Sequence, residues 1–352
     1  MSASPHPGRR YGTQLFLPAL GYDEGDLSGT LELLPLLGAE EGELGLMLVS
    51  RDGIAGFQGE RAAVQCSNLE RAAKAFGRLN LLVMAPNRVE EFDFYHRPED
   101  SLANLKSVVD LASRLPQTGD PPFVSFHLNT LFTAQEWSEA GQGPDQKLEF
   151  FSGIFREQVL PILDIAAEYA GARDIALKVE TTPVPEFGDL ADPDLNTLGN
   201  PFPLYSQRGF RELRERGFNV VMDLCHGHTQ FAAASSIKEG RTGYDDYKGL
   251  FPADLDYLAS ATLLSEVISL KPGDIVHLND SRGLFDSVKG ELHEEGVALG
   301  EGDIRELPDI IRTVLAKGLP IVFEINETDY LRRPNLRRSI EYFLKHANDH
   351  DH

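Results

Sequence analysis

Short apolar runs recur along this chain, each about the length of a buried strand, and stretches with helical spacing separate them. Residues 12–17, 44–50, 80–85 and 123–128 read as four strands, and 175–180, 219–224, 274–278 and 321–325 as four more. Their near-continuous apolar character is that of a parallel sheet buried on both faces. The spacing of Leu102, Leu105, Val108, Val109 and Ala112 predicts a helix over 101–115. Phe151, Ile154, Phe155, Val159, Ile162 and Ile165 predict another over 150–170. Further helices are expected over 204–216 and 254–270, and over 304–316 between an Asp303 N-cap and Gly318. The last is expected over 336–347, entered through Pro334. The connections between the first three strands leave room for shorter helices.

Eight strands alternating with helices predict an α/β chain closed as a (β/α)8 barrel. An open doubly wound sheet is the alternative, but it would carry a glycine-rich phosphate loop after its first strand, and none stands near Leu17. The chain therefore reads as one domain over 11–347, with a disordered 1–10 and a frayed tail at 348–352 in which His350 and His352 are solvated. Two connections are long, 181–203 and 227–252, and both are expected as loops on the C-terminal rim where such barrels build their sites.

Four of the runs finish on a metal-type ligand. Glu180, Asp223, His277 and Glu324 close strands five to eight. Taken singly, each is an ordinary hydrogen-bonded strand end. Together they would crowd like charges at one barrel mouth, and such carboxylates repel unless a cation sits among them. Three oxygen donors and one nitrogen suit one divalent ion: manganese, magnesium, cobalt or zinc. His226 completes an Asp-x-x-His with Asp223, and His127 ends strand four; both are expected to line the site. Arg282, just past His277, is placed to anchor a substrate hydroxyl or phosphate. His228 is read as an exposed loop histidine, and Cys225, Trp137, Phe150 and Phe151 as packing.

Composition narrows the partners. The chain has 352 residues, 41% hydrophobic and 25% charged, as in a soluble protein with a substantial core. It holds no apolar run long enough to span a bilayer. Residues 1–10 are polar, with Pro5 and Pro7, and lack a signal-peptide core. Cys66 and Cys225 are the only cysteines, which excludes a disulfide framework and fits a reducing cytoplasm. A net charge of −22 disfavours nucleic acid. Homo-oligomerisation is left open.

Short motifs from the fourth strand onward occur in the order of a known superfamily. They are Ser125-Phe126-His127, Val179-Glu180-Thr181, Met222-Asp223-Leu224-Cys225-His226, His277-Leu278-Asn279-Asp280, Leu299-Gly300-Glu301-Gly302-Asp303-Ile304 and Phe323-Glu324. In these the chain resembles the xylose-isomerase-like TIM barrels, which include sugar isomerases, sugar epimerases and nucleases of the endonuclease IV type. The resemblance covers about residues 120–330. It implies a common metal site at Glu180, Asp223, His277 and Glu324, and a small-molecule sugar substrate. It also implies that Glu180 and Glu324 serve as the acid/base pair beside the reacting carbon. The nuclease branch, which acts on abasic DNA, binds three zinc ions through more histidines. His127 and His226 match two of them, but Asn87 stands where a third is expected. Glu294-Glu295-Gly296 replaces an Asp-x-His, with His293 displaced. These departures favour an isomerase or epimerase over the nuclease. A metal-stabilised sugar-binding barrel without turnover is the third reading.

Overall fold

Each apolar run finds its neighbour in chain order, and the eighth returns to the first. The computed structural model describes residues 10–20, 24–40, 42–116, 119–128, 130, 132–183, 197–198, 202, 204, 209–241, 250–282 and 294–347. Its strands are β1 (Leu15–Ala19), β2 (Leu44–Leu48), β3 (Asn80–Met84), β4 (Phe123–Phe126), β5 (Ala176–Glu180), β6 (Asn219–Asp223), β7 (Ile275–Leu278) and β8 (Ile321–Phe323). All pair in parallel and close a barrel in the order expected for (β/α)8 architecture. The expected segments 1–10 (apart from Arg10) and 348–352 fall outside the described residues.

The pleat decides what the barrel contains. Alternate residues of a strand face the same side, so a residue and the one two places on share the interior. Phe16, Met47, Leu82, Phe123, Val221, Ile275 and Val322 form one buried interior cluster. Two places beyond Val221, Ile275 and Val322 stand Asp223, His277 and Glu324. The same step along β4 and β5 leads from Ser125 to His127 and from Lys178 to Glu180. The lower interior is therefore mostly oily and the C-terminal layer polar.

Several expected helices differ in extent. The helix over 150–170 is part of a continuous run from Pro144 to Gly171, with a wider turn at Phe155–Val159. That over 254–270 divides into Pro252–Leu258 and Leu263–Ser269, because Thr262 caps the second one through a reciprocal box with Ser265. Only Arg211–Glu215 of 204–216 is helical among the described residues. Asp303 is not the expected N-cap: its backbone N–H donates to the Ser281 carbonyl, and the helix begins later, at Leu307. Gly318 does close that helix, at φ 63°. The early connection Gly59–Phe76 is a long helix, not a short one. The expected loop over 227–252 begins as a helix, Leu224–Lys238, buried nearly all round, so no amphipathic period marks it. Gly227 lies on that helix where a Cβ would meet Leu263 and Met222. Among the described residues no helix is long and apolar enough to cross a membrane.

Lys178 is the one cation in the oily layer among the described residues. Its ammonium donates to the Gly273 carbonyl and lies 4.7 Å over the Phe123 ring. Burial lowers its pKa from 10.5 to about 8, against the pull of Asp274. Below pH 8 the folded and unfolded chains both carry this proton and the cost of burying it is constant. Between about 8 and 10.5 the unfolded chain alone retains it, so stability rises with pH across that window. Urea denaturation at pH 7.5 and pH 10 should show the wild type gaining on the order of 3 kcal/mol relative to Lys178→Met. Equal pH dependence in the two proteins would refute the depressed pKa.

Candidate metal centre

The strand ends converge as their alternation requires. One ligand atom each from Glu180, Asp223, His277 and Glu324 lies within 4.8 Å of all the others. His277 is at the centre: its Nδ1 is 3.1 Å from Glu180 Oε1, 3.8 Å from Asp223 Oδ2 and 2.5 Å from Glu324 Oε2. Register explains the grouping, since Asp223 pairs directly with His277, and Val322, two residues before Glu324, with His277 on the other side. Glu180, Asp223 and His277 are fully buried, while Glu324 keeps 30% of its side chain exposed at the mouth.

Neighbouring groups hold these side chains. Asn279 donates to Asp223 Oδ2 at 2.6 Å and accepts from the Cys225 N–H at 3.0 Å. Asp223 Oδ1 caps the helix Leu224–Lys238 by accepting from the His226 N–H at 2.8 Å. The Thr181 hydroxyl accepts from the Asp223 N–H at 3.0 Å. Asn279 and Thr181 stand inside the motifs quoted above, but neither was singled out there, because amides and hydroxyls are common after strands.

Both flanking histidines are brought in. His127 Nε2 stands 3.4 Å from Glu180 Oε2, and His226 Nδ1 stands 3.8 Å from Glu180 Oε1. His226 also donates from Nδ1 to the Thr181 carbonyl at 2.7 Å and meets Glu295 Oε1 through Nε2 at 2.6 Å. Two further donor groups therefore overlap the first: His127 with Glu180 and His226, and Asp223 with His226 and Glu295. Arg282 is not brought into any of them. Its guanidinium is half exposed, paired with Glu294 at 2.8 Å and donating to the Glu301 carbonyl at 2.7 Å. His228 is partly buried on the helix, outside these groups. Cys225 packs as expected, its Sγ donating to the Asp280 carbonyl.

The donors suit a cation better than they suit one another. Both Glu180 oxygens, both His277 nitrogens and Glu324 Oε2 are buried without an aligned hydrogen bond, although their separations are short. Burial opposes charge throughout, and the groups divide the consequence. Burial pushes the Asp223 carboxyl up, reinforced by Glu324, Glu295 and Glu180. Glu180 resists burial and is held low by His127 and His277. His226 and His277 resist it too: Asp223 and Glu295 raise the first well above its ordinary value, and Glu180 and Glu324 the second. Protons thus do here what a divalent ion would do by charge and lone-pair demand.

No family model matches the chain, and no curated protein matches its sequence. Solved structures do match its fold. A D-tagatose 3-epimerase-like protein is 14% identical with a TM-score of 0.54, over 94% of this chain and 98% of that one. A xylose isomerase-like TIM barrel protein from Mycobacterium smegmatis, solved in complex with magnesium, is 14% identical at 0.52, over 96% and 98%. A D-allulose 3-epimerase from a Methylomonas species is 11% identical at 0.51, over 96% and 100%. The chain has the fold of the xylose-isomerase-like TIM barrels.

Metal binding should compete with the protons just described. Calorimetric titration of chelator-treated protein with Mn²⁺ should show proton release between buffers of different ionisation enthalpy, tighter binding as pH rises, and a higher Tm. Asn279→Ala should weaken affinity about 10- to 100-fold by freeing Asp223, and Glu180→Gln at least as much. Affinity indifferent to both variants would place the ion elsewhere.

Proposed function

We propose that this chain is a divalent-metal-dependent isomerase or epimerase acting on a sugar, sugar phosphate or related polyol by proton transfer. The observation that carries the reading is the four-donor group at the C-terminal mouth of the barrel, with two carboxylates reaching it from β5 and from just beyond β8. A bound divalent ion would supply Lewis-acid polarisation of the substrate carbonyl. The chain's own residues would move the proton. One of Glu180 and Glu324 takes it from the carbon next to that carbonyl and becomes a carboxylic acid. If the other, already protonated, returns a proton to the opposite face, the stereocentre inverts; return by the same group to the adjacent carbon, with the hydroxyl proton of the first carbon passing to the former carbonyl oxygen, isomerises the sugar. His127 and His226 line the pocket beside Glu180.

The neighbours support this chemistry. D-tagatose and D-allulose, the sugars that two of them are named for, are ketoses, and their 3-epimerised carbon is acidified by the adjoining ketone. Two unpaired cysteines fit a cytoplasmic enzyme. One observation favours a second reading, a phosphodiesterase of the endonuclease IV type: the three overlapping donor groups could hold more than one ion. Against it stand the net charge of −22 and Asn87, exposed in the loop after β3 where that branch needs a ligand.

Incubation with a panel of ketoses in heavy water should place deuterium on the reacting carbon. Glu180→Gln and Glu324→Gln should each lower kcat about 10²- to 10⁴-fold, with metal content measured in parallel. A fully loaded Glu324→Gln protein with unchanged turnover would remove that residue from the chemistry. Isomerisation without solvent exchange would make it a hydride shift. Zinc-dependent incision of abasic duplex, lost in His127→Ala, would install the second reading.

A further inference from the structure

We propose that Glu295 positions the His226 imidazole through the hydrogen bond it makes to Nε2, so that Glu295 is an anchor for the ring and not a metal ligand. The inference deepens the isomerase reading and rests on it only for the catalytic consequence.

The hydrogen-bond chemistry is specific. The Thr181 carbonyl can only accept, so the His226 Nδ1 at 2.7 Å carries a proton. Nε2 is the remaining position, and it meets Glu295 Oε1 at 2.6 Å with hydrogen-bond alignment. A proton must lie in that contact, on the ring or on the carboxyl, because two bare lone pairs would repel. Two ligands each about 2.1 Å from one cation, at octahedral or tetrahedral angles, stand about 3.0–3.4 Å apart. The His226–Glu295 separation is shorter and its alignment is that of a hydrogen bond. His277 and Glu324 are as close, yet they lack that alignment. The geometry thus separates a cation-facing group from a proton-bridged pair although both pass as clusters of metal-type residues.

Glu295 is itself anchored. It lies on a hairpin in which Asp280–Arg282 pairs antiparallel with Glu294–Val297. The side-chain amide of Asn326 donates to the Glu295 carbonyl at 2.7 Å, and the Asn326 N–H to the Gly296 carbonyl at 2.7 Å. Gly296 has φ 67°, and a Cβ there would press on Asn326, so the approach needs glycine. Asn326 is two residues past Glu324. The hairpin therefore ties the far side of the donor group to His226 on the near side.

Metal analysis of protein as purified and saturated with Mn²⁺ should give the same ion count per chain in wild type, Glu295→Ala and Glu295→Gln. In Mg²⁺-loaded protein with ¹⁵N-labelled histidine, the His226 ring, assigned with His226→Gln, should show a fixed Nδ1–H and a protonated Nε2 contact. Glu295→Ala should lose that pattern, while Glu295→Gln, whose amide oxygen still accepts, should keep the ring in place. If the chain turns over a ketose, kcat/KM should fall about 10- to 100-fold in the alanine variant and recover partly in the glutamine variant. Two ions in the wild type and one in Glu295→Ala would make Glu295 a ligand and overturn the proposal. So would a His226 spectrum unchanged in Glu295→Ala. Metal count and spectrum decide the point even if no sugar reacts, which would be a failure of the isomerase reading alone.

Discussion

Glu180, Asp223 and Glu324 carry like charges to one place where little water can screen them, and an imidazole stands among them. In a low-dielectric setting the repulsion of such carboxylates amounts to several kcal/mol, as large as much of a domain's net stability. The barrel can afford this only if the charge is answered. Protons on His226 and His277 answer it in one protonation state and a divalent ion in another, and the surrounding hydrogen bonds are compatible with both. Asn279, Thr181 and the helix start at Asp223 fix Asp223, and Glu180 and Glu324 Oε2 keep their lone pairs for the centre. The site is built to be short of positive charge.

The same constraint explains why so much was legible in the bare sequence. A barrel strand alternates wall and lumen, so an apolar lumen residue followed two places later by Asp, Glu or His marks the point where oil gives way to chemistry. Val221 before Asp223, Ile275 before His277 and Val322 before Glu324 repeat that mark. Three repeats cannot easily arise from unrelated strand ends. Lys178 before Glu180 breaks the rule, and it does so by turning its amine to the Gly273 carbonyl at the opposite end of the strand.

What stayed hidden has physical causes too. The helix Leu224–Lys238 is buried nearly all round by small and polar residues, and it shows neither a stripe nor a good N-terminal signal apart from a residue already assigned to the site. Arg282 is near His277 along the chain, but the hairpin turns its guanidinium out to Glu294 and the Glu301 carbonyl. The fold brings in Glu295 instead, through Asn326, a contact between segments 31 residues apart that no local pattern encodes. Asp303 has the chemistry of a cap and is spent on the turn that docks against Ser281. The three solved structures named above share only 11–14% of their residues with this chain, which is what an architecture specified by alternation permits.

Because every donor comes from a different strand, no contiguous stretch of chain owns the site. Asp223 and His277 are neighbours by direct strand pairing, but Glu180 and Glu324, three strands apart on the wall, meet through the curvature of the closed ring. An open intermediate lacking the β8–β1 pairing would present the same carboxylates spread along a curved sheet, with weak mutual repulsion and little appetite for a cation. Ion affinity is therefore greatest in the closed ring, and an ion that binds there stabilises the closed over the open arrangement. Carboxylates that burden the closed ring would cost an open sheet less, so closure brings the strain together with the means to relieve it.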